Sequence, residues 1–146
     1  MKLKGMSRLQ IKYEFELVEA LVLKFTAESH KIFKEVQLFE RYIDLVTINS
    51  ENKLFAIEAK ISSMSQAFKQ AKRYQIIADS VFVAVRKNSS NSKAFELSNE
   101  TGIGLILIEK ESDGTYIVEI VKEPTHERLK NDSITKYVLG LTPEYA

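Results

Sequence analysis

Asp44, Glu58 and Lys60 are the residues of this sequence whose types and spacing most suggest chemistry. Glu58 and Lys60 close the stretch Lys53-Leu-Phe-Ala-Ile-Glu58-Ala-Lys60, an apolar run ending in a carboxylate and an amine two positions apart. On a strand, a spacing of two puts both side chains on one face. Charges at the end of an apolar strand need partners. Asp44 lies upstream in a second apolar run, Tyr42-Ile-Asp44-Leu-Val-Thr-Ile48. Two carboxylates and a lysine converging at strand ends would suit a divalent cation and hydrolysis of a phosphodiester. Such carboxylates repel each other unless a cation sits between them, and oxygen-only ligands favour Mg2+ or Mn2+ over zinc. The backbone carbonyl of Ala59 is a candidate further ligand. Lys60 is a candidate to orient the attacking water or to stabilise charge developing on the phosphorane.

Convergence depends on strand register. The two runs are joined by Asn49-Ser-Glu-Asn52, which is hairpin chemistry. If Val46 faces Ala56, then Asp44 faces Glu58, with Cβ atoms about 4.5–5.5 Å apart. A slip of one residue points the two carboxylates to opposite faces. A three-residue loop over residues 50–52 permits the first register. Glu-x-Lys alone is a common tripeptide, and Glu51-Asn-Lys53 is a second copy in a turn. The apolar strand and Asp44 set Glu58-Ala-Lys60 apart.

The surrounding elements must bring these groups together. Residues 11–27 read as an amphipathic helix with Ile11, Phe15, Val18, Val22 and Phe25 at helical spacing. On a helical wheel centred near Val18, Glu14 falls inside the apolar face, Glu19 at its edge and Glu16 nearly opposite. A glutamate in a buried stripe needs a partner or a metal, so Glu14 is preferred as a site carboxylate, with Glu19 as the alternative. Residues 32–39, 42–48 and 53–60 read as three strands. Ser62 and Ser63 offer N-caps for a helix to about residue 78. On it Gln66, Gln70 and Tyr74 form one stripe beside the small seam of Ala67, Ala71 and Ala78, which makes Gln70 and Tyr74 candidates to face a cleft. Lys69, Lys72 and Arg73 crowd the same helix and are candidate phosphate contacts. Residues 81–86 read as a buried strand, 93–100 as a short helix, 104–109 and 115–121 as strands, and 134–141 as a last helical turn. The order α-β-β-β-α-β-α-β-β predicts a mixed sheet with helices on both faces.

A chain of 146 residues reads as one domain. The absence of cysteine excludes disulfides, zinc–thiolate sites, iron–sulfur clusters and a thiol nucleophile. Net charge is only +1, so any nucleic-acid footprint must be local. The start has no signal-peptide core and no apolar run approaches ~18 residues, so neither export nor a membrane span is expected, and a cytoplasmic location is.

Together these residues resemble the PD-(D/E)XK nuclease superfamily, the restriction-endonuclease-like fold. Glu14, Asp44, Glu58 and Lys60 match its carboxylates and lysine in order and context. Glu14-Phe-Glu-Leu-Val resembles the first-helix motif of archaeal Holliday-junction resolvases, and Gln70-Ala-Lys-Arg-Tyr74 is similar to the Gln-x-x-x-Tyr motif of RecB-type members. The residue before Asp44 is isoleucine rather than proline. The resemblance implies an αβββαβ core with a mixed central sheet flanked by helices on both faces. It implies a Mg2+- or Mn2+-dependent deoxyribonuclease that attacks DNA with a metal-activated water. Asp44, Glu58, Ala59 and Glu14 would hold the metal, Lys60 would act on the nucleophile, and Gln70 and Tyr74 would complete the site. A duplex cutter of this size would be a symmetric homodimer. The competing expectation is a non-catalytic module of the same fold that binds nucleic acid or a protein partner.

Overall fold

Asn49 governs the central hairpin. Its side-chain Oδ1 accepts the backbone N–H groups of Glu51 and Lys53, each at 2.9 Å, and Asn52 takes the left-handed conformation at φ 61°. A three-residue loop with its last residue left-handed is a favoured hairpin connection. It pairs β3 (Arg41–Ile48) with β4 (Leu54–Ala59) in the register Ile48–Leu54, Val46–Ala56 and Leu45–Ile57. This is the register that directs Asp44 and Glu58 to the same end of the hairpin.

The structure is a computed structural model that describes residues 8–38, 40–125, 132–141 and 143. Before the hairpin come β1 (Arg8–Leu9), α1 (Glu14–Ala27) and β2 (Lys31–Leu38). Phe39, expected to end β2, lies outside the described residues. After the hairpin come α2 (Met64–Lys72) with a 3-10 turn (Arg73–Ile76), β5 (Ser80–Arg86), α3 (Ser92–Thr101), β6 (Gly104–Glu111), β7 (Tyr116–Lys122) and α4 (Asp132–Leu139). The seven strands form one mixed sheet in the order β1-β6-β5-β4-β3-β2, with β7 also on β6. β4, β5 and β6 run parallel because α2 and α3 carry the crossovers, whereas the tight loops make β2–β3, β3–β4 and β6–β7 antiparallel.

Helices cover both faces, as the sequence predicts. α2, α3 and α4 bury Ala67, Phe68, Ala94 and Val138 against Phe33, Val46, Ala56 and Val83. On the opposite face α1 buries Leu17, Leu21 and Phe25 against Leu45, Ile57, Phe82 and Ile106. Each of the Val, Leu, Ile and Phe side chains among them stabilises the fold by about 1.5–3 kcal/mol relative to exposure. The fully buried interior of β5, and a β4 buried everywhere but at the half-buried Phe55, follow from this double covering.

Two local expectations are corrected. The buried face of α1 centres on Leu17 and Leu21 rather than Val18, and Phe15 is 65% exposed while Glu16 is only 7% exposed. Glu16 folds back over the start of the helix, where Oε2 accepts the N–H groups of Lys12 and Tyr13 and Oε1 accepts Lys110 Nζ at 2.8 Å. A wheel treats every residue as projecting radially and misses this capping geometry. The second helix is also shorter than predicted: Ser63 is left-handed without a side-chain cap, and the helix tightens into the 3-10 turn at Arg73.

One irregularity positions the site. Phe33 and Val36 lie on the same face although three residues apart, and so do Ile43 and Val46. On the edge strand β2 the step falls at Glu35, which has φ 52°. Asp44 sits on the partner strand between Ile43 and Leu45, whose side chains join opposite cores.

Candidate active site

The β3–β4 ladder stops where the carboxylates begin. Its last pair is Leu45–Ile57, although β3 extends back to Arg41 and β4 on to Ala59. Beyond that pair the strands fork. Asp44 spans the fork, its Oδ2 accepting the Ala59 N–H at 2.9 Å, a bond that replaces backbone pairing. β4 stays parallel to β5 through Glu58–Val83 and Ala59–Ala84, and the Lys60 N–H donates to the Ala84 carbonyl at 3.1 Å. The end of β4 is thus fixed on one side by β5 and on the other by Asp44.

Glu58 is 4% exposed and turns to the α2 face, where the Tyr74 hydroxyl donates to its Oε1 at 3.1 Å. Burial and then the Asp44 charge push the Glu58 carboxyl up to about 7, against the Tyr74 hydrogen bond and the Lys60 charge. Asp44 is raised too, chiefly by burial; the Ala59 N–H opposes this, and the charges of Glu14 and Glu35 add to it. Burial and the adjacent Glu58 raise the Tyr74 hydroxyl well above the usual phenol range. Burial resists the charge of both carboxyls, and the charge of Asp44 further resists ionisation of Glu58.

Glu14 stands at the N-terminus of α1, exposed, with Oε2 accepting the Ile61 N–H at 3.3 Å. Its charge is felt at both Asp44 and Glu58. Glu14 therefore joins the site neighbourhood from its rim, not as the buried carboxylate the wheel predicts. Glu19 lines the same α1 groove as Glu14 and Asp44, and its Oε2 accepts the Tyr116 hydroxyl at 3.4 Å. Lys60 is half-buried beside the pair. Gln70 lies one helical turn before Tyr74, and its Oε1 is buried with no hydrogen-bond partner. Lys69, Lys72 and Arg73 are exposed on the same helical segment. Among the described residues no three acidic or histidine side chains stand close enough to enclose a metal ion. The arrangement is an open carboxylate pair with a third carboxylate at its edge.

Arg41 and Glu35 are additions that sequence reasoning missed. Arg41 opens β3 three residues before Asp44, and its charge is felt at Tyr74. Glu35 lines the same groove as Asp44 and its charge is felt there, and its positive φ is announced by no pattern in the sequence.

No protein-family model matches the chain, and no curated protein matches it. Among solved structures it is similar to the SPO1766 protein of unknown function from Silicibacter pomeroyi, at 20% identity and TM-score 0.68 over 90% of this chain and 84% of that one. It is similar to EndoMS in a complex with double-stranded DNA, at 18% identity and TM-score 0.50 over 74% of this chain and 49% of that one. A repair endonuclease from Pyrococcus abyssi shares 15% identity at TM-score 0.47, over 66% of this chain and 47% of that one. At these identities the likeness is one of fold, and fold does not fix function. Among the described residues no helix is long and apolar enough to cross a membrane.

Proposed function

We propose that the protein is a metal-dependent nuclease that hydrolyses phosphodiester bonds in DNA. The observation that carries this reading is the fork at the end of the central hairpin, where Asp44 binds the end of β4 and its charge, with that of Lys60, is felt at Glu58. The donor set fits Mg2+ or Mn2+. It consists of two carboxylates disfavoured in their charged forms, the Ala59 carbonyl between Glu58 and Lys60, and Glu14 at the rim to act directly or through water. The buried, unpartnered Gln70 Oε1 adds a polar atom that wants a donor such as a bound water. A divalent cation held there would supply Lewis acidity to the phosphate and would lower the pKa of a water.

The remaining work belongs to the chain's own groups. The Ala59 N–H fixes one Asp44 oxygen and the Tyr74 hydroxyl fixes one Glu58 oxygen, so both carboxylates are held in place. Lys60 orients the attacking water or stabilises negative charge gathering on the phosphorus oxygens. Gln70 carries no charge, so its role is to orient water or phosphate. Likeness of fold to EndoMS, a structure solved with double-stranded DNA, makes DNA the first substrate to test.

The test is digestion of linear, nicked, branched and single-stranded DNA in Mg2+ and in EDTA, with RNA alongside. The reading expects cleavage of at least one DNA in Mg2+, none in EDTA, and none by Asp44→Asn. Cleavage that survives EDTA or Asp44→Asn would remove the carboxylate pair from the chemistry.

A further inference from the structure

Two concave surfaces flank the carboxylate pair, and they differ in charge. The larger, about 970 Å³, runs along α1 and reaches Asp44. Its charged lining is Glu14, Glu19, Glu35 and Asp44 against a single lysine, Lys34. The smaller, about 160 Å³, lies between the start of β3 and the 3-10 turn after α2. Arg41 and Arg73 line it together with Tyr74 and Ile43, and none of its lining residues is acidic. Both arginines are exposed. Lys69 and Lys72 add positive charge on the adjoining helix.

We propose that Arg41 and Arg73 form a phosphate-binding pair that grips the nucleic-acid backbone beside the scissile position, so that the substrate strand enters over the α2 flank rather than along the α1 groove. The inference rests on the nuclease reading and adds the substrate path to it. A polyanion is repelled by the groove carboxylates that the proposed cation does not neutralise, Glu19 and Glu35, and attracted to the flank carrying two guanidinium groups. Guanidinium is planar, permanently charged and suited to two parallel hydrogen bonds to a phosphate. The two arginines come from elements far apart in sequence, yet they line one pocket. Tyr74 forms the wall of that pocket and bonds to Glu58. The phosphate held there is therefore a neighbour of the one at the carboxylates. The charge of Arg41 at the Tyr74 hydroxyl places it on this side of the site. With a net charge of +1 for the whole chain, a footprint concentrated here is the local basic surface that nucleic-acid binding requires.

The experiment is fluorescence anisotropy with a labelled DNA single strand and the corresponding duplex, in Ca2+ and in EDTA, across a salt series. The proteins are wild type, Arg41→Ala, Arg73→Ala, the double variant and Lys53→Ala. Lys53 lies just before β4, at the opposite end from Glu58, and serves as a control with the same charge change as each single variant. Melting temperature checks that each variant is folded. The expected result is affinity about ten-fold weaker or more for the double variant. Its log–log salt slope should also be shallower by about 0.7 on the single strand or about 0.9 on the duplex, one phosphate's worth. Lys53→Ala should match wild type. Wild-type affinity and slope in the folded double variant would overturn this inference while leaving the nuclease reading intact. A wild type that neither binds nor cuts any DNA would overturn the reading itself and this inference with it.

Discussion

At the scale of single residues, the energetic cost of the site is concentrated in Glu58. Its carboxyl rises from an ordinary 4.5 to about 7, so without a cation the native state holds that proton more tightly than the unfolded chain does. Stability of the metal-free protein must then fall as pH rises through that window, by up to about 3 kcal/mol at roughly 1.4 kcal/mol per unit. Asp44, also raised, adds the same sign. Denaturant unfolding of metal-free protein at pH 4.5 to 8 should show this decline, and Glu58→Gln should flatten it. Mg2+ should raise the melting temperature of wild type but not of Glu58→Gln, because only the native site binds the cation. A decline that persists unchanged in Glu58→Gln would mean that Glu58 is not the group resisting ionisation. Tyr74 is both core and site: it is 4% exposed, and its hydroxyl is bonded to Glu58. Tyr74→Phe should lose about 1–2 kcal/mol through that bond and slow cleavage, whereas Tyr74→Ala should lose about 3–5 kcal/mol as a core truncation. Equal stability losses in the two variants would refute this division of roles.

At the scale of elements, the start of α1 explains both what the sequence reveals and what it hides. The hairpin register was permitted by Asn49-Ser-Glu-Asn52 but not forced, because strands apolar on both faces fit either register; the Asn49 side-chain bonds and the left-handed Asn52 select it in the folded chain. The placement of Asp44 beside Glu58 follows from it. The fork beyond Leu45–Ile57 was not legible, because there a side-chain bond from Asp44 to the Ala59 N–H takes the place of backbone pairing, and no residue pattern announces that exchange. The choice among Glu14, Glu16 and Glu19 was only partly legible. Glu14 does reach the site, but it does so from the exposed rim, while Glu16 is buried as a cap and bonded to Lys110. The Lys110 hydrogen bond is the main cause that holds the Glu16 carboxyl below its usual range. Its pH sign is therefore opposite to that of Glu58: the stabilisation is present above the ordinary carboxylate range and is lost as pH falls through it. Glu16→Ala should destabilise the protein by about 2 kcal/mol at pH 7, with a smaller difference at pH 3, by chemical denaturation. A difference independent of pH would assign Glu16 to packing alone.

At the scale of the whole molecule, the sheet serves to hold one hairpin end open. β5 fixes β4 from one side, helices seal both faces, and the fork between β3 and β4 is left as the place where charged side chains meet. The mixed sheet was legible from element order, since helical crossovers between apolar strands impose parallel neighbours. The charge asymmetry between the two flanks was not, because Arg41 and Arg73 become neighbours only in the folded chain. The most direct test of the nuclease account is the cleavage rate of Lys60→Ala against wild type, in Mg2+, on whichever DNA the wild type cuts. Lys60 is half-buried at a strand end, so its removal should leave melting temperature and Mg2+ stabilisation close to wild type, as for a surface charge worth about 0–1 kcal/mol. Cleavage should fall by about 100-fold or more, the loss typical of a preorganised charge stabiliser. Equal rates in the folded variant, or a wild type that cuts no DNA in Mg2+, would contradict the account.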